Sequence, residues 1–356
     1  MAGRNLPAAL QASFDETKVS YAQLGESGLR VSVPVLGAMS LGSKQWADWV
    51  IDEKEALQVL KAAWDKGLNT WDTANAYSNG RSEKILAKAI KTFGIPRHKV
   101  ILMTKCFLAV GEETATNAAM VPGIGNSKDY VNQSGLSRAA IFNAVEASLK
   151  RLETDYIDVL QIHRYDSSVK PEEIMKALHD LIQSGKVRYI GASSMWTYQF
   201  ATLQFVAEKN GWTKFVSMQN SYNLRYREEE REMIKFCKET GVGLIPYGPL
   251  SAGLLARPRG EETTRSKGGM GPSFAGRSDA DNEIIDRVEK VSKDKGWTMS
   301  QVALGWVIQK GTIPIVGFSS VRRIDEACGL KERVLSDEEM KYLEEPYKPK
   351  SVVGHF

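Results

Sequence analysis

Eight short, mostly apolar runs punctuate this chain, and a helix-length stretch follows each of them. The runs are Val35–Met39, Thr70–Thr73, Val100–Lys105, Ile157–Ile162, Arg188–Ser193, Phe215–Gln219, Gly243–Tyr247 and Ile313–Gly317. Continuous apolar character suits parallel strands covered on both faces, and parallel neighbours need long crossovers between them. The crossovers read as helices. One starts at Asp52 as N-cap and runs to Gly67, with Ala56, Val59, Leu60 and Ala63 on one face. Another starts at Ser137, with Ile141, Val145, Ser148, Leu149 and Leu152 aligned, and a third runs from Pro171 to Gly185. Further helices read over 81–92, 197–209, 227–240, 281–295 and 322–333, and two extra ones, Ser300–Gln309 and Ser336–Leu343, stand outside the alternation. Eight strand–helix units in one direction predict an α/β protein folded as a closed (β/α)8 TIM barrel. A doubly wound open sheet is the alternative, but no Gly-x-Gly-x-x-Gly follows an early strand.

The barrel is expected to occupy residues 21–345 as a single domain, after a flexible, polar N-terminal extension (1–20) and before a C-terminal tail (346–356). It would open on a β-hairpin: Tyr21–Leu24, a turn at Gly25-Glu26-Ser27-Gly28, and the alternating Leu29–Val33. Two connections are long. Phe107–Leu136 and Leu250–Ala280 both follow strands, which puts them at the C-terminal rim where barrel active sites sit.

The formal charge of +4, with acids interspersed among the bases, gives no reason to expect a nucleic-acid partner. No run is apolar for long enough to span a membrane, and no secretion signal is evident, so a cytoplasmic location is expected. Cys106, Cys237 and Cys328 lack metal-type spacing, and no metal site is expected. If Lys105 points into a site, strand alternation turns Cys106 the other way.

Chemistry gathers at the ends of the second, third and fourth strands. Asp72 and Tyr77 lie at and just past the first of these ends, Lys105 at the next and His163 at the third. Singly, each has an ordinary structural explanation. Together, three converging strand ends bring an acid, a phenol, a cation and an imidazole to one rim. A free tyrosine has a pKa of ~10, and a cation beside it stabilises the phenolate and lowers that value. Lys105 can be that cation, Asp72 can hold it charged, and His163 can donate a hydrogen bond to a carbonyl oxygen.

With these motifs the chain resembles the aldo-keto reductases from about Tyr21 to Leu343. The resemblance rests on Trp71-Asp72-Thr73-Ala74 with Tyr77, Met103-Thr104-Lys105, Leu160-Gln161-Ile162-His163, Gly191-Ala192-Ser193-Ser194 and Ile245-Pro246-Tyr247-Gly248-Pro249-Leu250. Gln161–Asp166 and the tail Leu343-Glu344-Glu345-Pro346-Tyr347 are most like the fungal branch that includes versiconal hemiacetal acetate reductase and aryl-alcohol dehydrogenase-like enzymes. The resemblance implies an NADPH-dependent reductase of an aldehyde or ketone, with Tyr77 as proton donor. It places the cofactor's carboxamide at Ser193, Ser194 and Gln219, and its nicotinamide on Tyr247. Relatives often carry Trp-Ser where this chain has Tyr247-Gly248. The pyrophosphate maps onto Pro249, Leu250, Ser251 and Gly253. The adenosine end maps onto Gly317, Ser319, Arg323 and Glu326, with Arg323 on the 2′-phosphate. A frequent Asn of the family is Ala327 here.

Trp46, Trp49, Phe107 and Trp196 follow strands and are candidates for a flat apolar pocket, suited to an aromatic or polyketide-like carbonyl. Trp64, Trp212, Trp297 and Trp306 read as part of the helical layer. Two other functions fit the same barrel: a cofactor-binding regulatory protein with little turnover, and a Schiff-base aldolase on Lys105. The aldolase needs a neutral lysine, which Asp72 opposes.

Overall fold

A computed structural model describes residues 6–261 and 278–355. Among them, eight strands form one parallel sheet: Val35–Gly37, Thr70–Asp72, Ile101–Cys106, Ile157–Ile162, Val187–Ser193, Ser217–Gln219, Gly243–Leu244 and Ile315–Gly317. Each pairs with its neighbour in sequence, and the eighth pairs with the first through Ile315↔Val35 and Gly317↔Gly37. Two backbone bonds join the seventh strand segment to the eighth. Ile313 N–H donates to Leu244 C=O at 2.9 Å and Ile315 N–H to Pro246 C=O at 2.8 Å. The sheet is thereby a closed (β/α)8 barrel, as the alternation predicts. The seventh and eighth strands are shorter than their apolar runs because Pro246 and Pro314 bring no N–H to the ladder.

Side-chain alternation sorts the core into two layers. Val35, Met103, Val159, Ile245, Ile313 and Ile315 fill the barrel interior. Leu102, Cys106, Leu160 and Ile162 face the larger layer between strands and helices. On Ile101–Cys106 this period of two aims Lys105 inward with Met103, and Cys106 outward. The predicted hairpin forms from Ser20–Gln23 and Arg30–Val33, paired antiparallel. Its Leu24 and Val31 join the interior cluster, and Glu26 N–H donates to Gly241 C=O at 2.8 Å, so the hairpin plugs the N-terminal end of the barrel.

The helices at Arg81–Thr92, Thr197–Lys209 and Pro171–Gln183 match their patterns. Ser137 caps Arg138–Leu152 by accepting Ala140 N–H at 3.2 Å. Asp52 occupies the N-cap position of Glu53–Asp65, but its carboxylate accepts Lys44 N–H at 3.1 Å instead of a helix amide. The helix expected over 227–240 is a short 3-10 turn, Glu228–Glu230, followed by Met233–Glu239. Its glutamates bond both outside the segment and within it: Glu228 accepts from Tyr347 and the neighbouring Arg231, Glu229 from Asn220, and Glu230 from Tyr222 and the neighbouring Arg227. The helix expected over 322–333 spans only Val321–Cys328. The two extra helices are Met299–Gln309 and Asp337–Glu344, capped by Thr298 and Ser336. Where the N-terminal extension reads as loose, Ala8–Glu16 is helical with no buried residue, and Lys18 N–H joins the chain to Lys66 C=O at 3.0 Å.

The connection 107–136 carries two short turns, Ala118–Met120 and Ile124–Asn126. Asn79 pins it with three bonds, accepting Gly111 N–H at 3.0 Å and donating to Glu113 and Thr116 C=O at 2.8 and 2.6 Å. Of the connection 250–280, the stretch 262–277 lies outside the described residues. Among the described residues no helix is long and apolar enough to cross a membrane.

Candidate active site

Asp72, Lys105 and His163 stand at three adjacent strand ends, and the turn after Asp72 brings Tyr77 over them. That turn is held in place by the neighbouring strand. Thr73 N–H donates to Met103 C=O at 2.8 Å and Asn75 N–H to Lys105 C=O at 3.2 Å. It then passes through three left-handed residues, Ser78, Asn79 and Gly80, before the helix Arg81–Thr92 begins.

Lys105 sits at the centre, its side chain wholly buried. Its three ammonium hydrogens have three acceptors: Asp72 Oδ2 at 2.6 Å, Thr73 C=O at 2.8 Å and Tyr77 Oη at 3.4 Å. Burial alone would lower its pKa, but Asp72 and Tyr77 outweigh that and raise it, so Lys105 is charged. Tyr77 Oη accepts from the ammonium, which leaves the phenol's own hydrogen to point elsewhere. The sequence led to the expectation of a lowered Tyr77 pKa. Instead, burial pushes it above the ordinary phenol value, with Lys105 and Arg164 opposing and Asp72 adding to the rise. Tyr77 is therefore protonated at neutral pH. The His163 ring lies edge-on to Tyr77, centroids 5.9 Å apart. Burial, then Lys105 and Arg164, hold its pKa well below the usual histidine value, so the imidazole is neutral. Nδ1 is buried without a partner, and Nε2 is the nitrogen presented to the cleft.

Asp72 is held on its other oxygen by two amides. Gln161 Nε2 and Gln219 Nε2 donate to Oδ1 at 2.8 and 3.0 Å, and Gln219 Nε2 also donates to Gln161 Oε1 at 2.7 Å. Gln161 belongs to the His163 strand and to the motif that carries the resemblance there, yet nothing in the sequence gives it a role of its own.

A cleft of about 940 Å³ runs from Tyr77 and His163 across the rim. Ser193, Gln219, Tyr247, Pro249, Leu250, Ser251, Gly253, Gly317, Ser319, Arg323 and Glu326 line it. Ser194 does not; it sits behind, donating its N–H to Asn220 Oδ1 at 2.9 Å and its hydroxyl to Tyr247 Oη at 3.4 Å. Ser251, Ala252 and Gly253 are consecutive left-handed residues in the cleft wall, with the N–H groups of Ser251 and Gly253 donated to Gly248 and Leu250 C=O, each at 2.9 Å. Arg225, buried and paired with Asp281 at 3.2 Å, donates to Ser251 Oγ at 2.9 Å from below.

At the far end Arg257, Arg322 and Arg323 face the same space. Burial, then Arg257 and Arg322, lower the Arg323 pKa, with Glu326 opposing. Arg323 donates to Ser319 Oγ at 2.8 Å, and Arg322 lies 3.5 Å from Glu326. Such a cluster is a ready receptor for a phosphate dianion. The sequence drew attention to Arg323 but not to Arg257, which comes from a distant loop.

Of the four candidate pocket aromatics, Trp46 and Trp49 line the cleft, edge-to-face with centroids 6.1 Å apart. Their segment is pressed onto the turn after Tyr77, where Ser43 N–H meets Ser78 Oγ at 3.3 Å. Phe107 and Trp196 are not among the lining residues. Gly135 N–H donates to Phe107 C=O at 2.7 Å, and the Phe107 side chain packs against the core. Trp196 is 40% exposed at the rim, its ring 5.0 Å from that of His355. Leu108, Asn117, Ala119 and Met120 of the long connection line the cleft instead. Trp64, Trp212, Trp297 and Trp306 do pack in the helical layer. The C-terminal tail also reaches the site: Val353 N–H donates to Tyr226 Oη at 3.1 Å, and a Cβ on Gly354 would lie 3.4 Å from Tyr247 Oη.

The family model described as the aldo/keto reductase family matches residues 35–348. Aldo-keto reductase dtxS3 of Metarhizium robertsii is 55% identical, over 98% of this chain and 97% of that one. Versiconal hemiacetal acetate reductase of Aspergillus parasiticus is 49% identical, over 94% and 98%. A Schizosaccharomyces pombe protein provisionally named an aryl-alcohol dehydrogenase is 50% identical, over 94% and 97%. The fungal branch expected from the motifs is among these relatives.

Proposed function

The chain belongs to the aldo/keto reductase family, and from that premise we propose that it is an NADPH-dependent reductase of aldehydes or ketones in which Tyr77 donates the proton. The observation that carries the reading is the allocation of the Lys105 hydrogens to Asp72, Thr73 and Tyr77. With Tyr77 Oη accepting from Lys105, the phenolic hydrogen is free to face the cleft that Tyr77 lines.

The residues along the cleft fit a dinucleotide. Gln219 has spent both N–H groups on Asp72 and Gln161, so it offers a carbonyl oxygen to an amide N–H. Tyr247 would stack on the nicotinamide, the small residues of the Ser251–Gly253 turn would let the pyrophosphate approach the backbone closely, and Arg323 with Arg257 and Arg322 would hold a 2′-phosphate. When bound, the reduced nicotinamide supplies a hydride to the carbonyl carbon.

The protein's own part is acid catalysis and positioning. His163 Nε2 donates a hydrogen bond to the carbonyl oxygen, for which a neutral imidazole suffices. Tyr77 gives its proton to that oxygen as negative charge builds there, and Lys105 stabilises the resulting phenolate. Lys105, held charged by Asp72, has no lone pair for a Schiff base. Trp46 and Trp49 would flank a flat aromatic or polyketide-like substrate. A cytoplasmic enzyme is part of the same reading, since Cys106, Cys237 and Cys328 are buried free thiols. An NADPH-oxidation screen over quinones, aryl aldehydes, polyketide ketones and sugars tests the proposal. Turnover with one class, lost in Tyr77→Phe while NADPH still binds, is the expected result. Trapping of a substrate on Lys105 by borohydride would overturn it.

A further inference from the structure

We propose that Gln161 is a positioning residue that couples the cofactor's amide pocket to the proton donor, through Gln219, Asp72 and Lys105. The inference rests on the proposed function and deepens it. Gln161 is fully buried and stands outside the cleft, so it touches neither substrate nor cofactor. It bridges two groups of different roles. Its Nε2 donates to Asp72 Oδ1 at 2.8 Å, and its Oε1 accepts from Gln219 Nε2 at 2.7 Å. The amide orientation is fixed by chemistry, since the Asp72 carboxylate can only accept and the Gln219 amide nitrogen can only donate.

The chain of bonds then has one polarity. Gln219 Nε2 donates to both Gln161 and Asp72, which turns its Oε1 away from them, and Gln219 lines the cleft. Gln161 thus keeps Gln219 oriented as an acceptor. On the other side, the two amide donors on Asp72 Oδ1 draw charge away from Oδ2, the oxygen that binds Lys105. A less basic Oδ2 holds the ammonium less tightly and leaves more of its charge for Tyr77. The charged and titratable groups around Tyr77 are Asp72, Lys105, His163 and Arg164. Gln161→Met removes none of the four and adds no charge, so a shift of the Tyr77 proton in that variant reports the bridge.

Two variants separate coupling from mere packing. Gln161→Met keeps volume and removes the strong donor. We expect its NADPH Kd, read by quenching of tryptophan fluorescence, to rise on the order of tenfold. The pH at which alcohol oxidation switches on should move upward, because the Tyr77 phenolate is less stabilised. Gln161→Glu is nearly isosteric. Protonated, it donates to Asp72 and accepts from Gln219 as glutamine does; ionised, it cannot donate and places a second carboxylate beside Asp72. Its NADPH affinity should match wild type at low pH and fall as pH rises, a limb absent from wild type. If both variants fold, bind NADPH as wild type does at every pH and keep the wild-type oxidation profile, Gln161 is filler and the proposal is wrong. If Gln161→Met fails to fold, the pH dependence of Gln161→Glu decides alone. Failure of the underlying reading looks different: Tyr77→Phe would keep turning over while the Gln161 variants still changed NADPH affinity.

Discussion

The two ends of the cleft handle charge in opposite ways. At the Tyr77 end, Lys105 is buried, and every hydrogen of its ammonium has an acceptor within the protein. At the Arg323 end, three guanidinium groups converge, with Glu326 the acid that opposes them. One end is electrostatically finished before anything binds, and on the proposed reading the other would be completed by an anionic ligand. The contrast teaches that the same cleft can separate pre-organisation from recognition. Chemistry needs a field already aimed, whereas affinity for a phosphate gains from cations left short of partners.

The largest break comes from the finished end. Tyr77→Phe removes the proposed proton donor and should lower kcat for carbonyl reduction by about 10²–10⁴-fold, measured by NADPH oxidation, with NADPH affinity intact. Wild-type turnover would end the proton-donor assignment. Asp72→Asn leaves the Lys105 charge buried without its counter-ion, which costs about 3–5 kcal/mol, to be read from urea unfolding. At the unfinished end, Arg323→Ala should weaken NADPH by roughly tenfold and NADH little, by fluorescence titration. Equal losses for both nucleotides would show that Arg323 does not read the 2′-phosphate.

The smallest effect is one of pH. His163 is held neutral, its pKa below the unfolded value, so folding releases a proton from it at acid pH. The stability this contributes is complete above the ordinary histidine pKa of ~6.5 and is lost as pH falls from there through the folded value. His163→Asn removes that linkage. Unfolding free energies compared at neutral and mildly acid pH should therefore fall less steeply for the variant than for wild type.

Much of this was legible in the chain because barrels convert sequence period into spatial convergence. Asp72, Lys105 and His163 could be placed at one rim from strand ends alone, and the closed barrel follows from the alternation. Backbone chemistry blurred the edges, as at Pro246 and Pro314, where missing N–H groups shorten two strands. Phe107 lies off the cleft because a residue just past a strand can turn either way, and its side chain packs against the core between strands and helices. The helix pattern over 227–240 failed where its glutamates bond to Tyr347, Asn220 and Tyr222, outside the segment. Gln161 stood inside motifs that carry the family resemblance, but its bridging role, like the roles of Arg225 and Arg257, was not readable, since a polar residue's purpose lies in partners far along the chain. The tail that reaches Tyr247 was illegible for the same reason.

The hairpin plug has a consequence for timing. With Leu24 and Val31 sealing the floor of the barrel, and with Lys105 and Asp72 closed off from water, Tyr77 has the cleft as its route to bulk solvent. A cleft filled by cofactor and substrate shuts that route. On the proposed chemistry, the enzyme then runs like a single-shot device: each cycle spends one stored proton, and the store is refilled only in the interval when the cleft stands open.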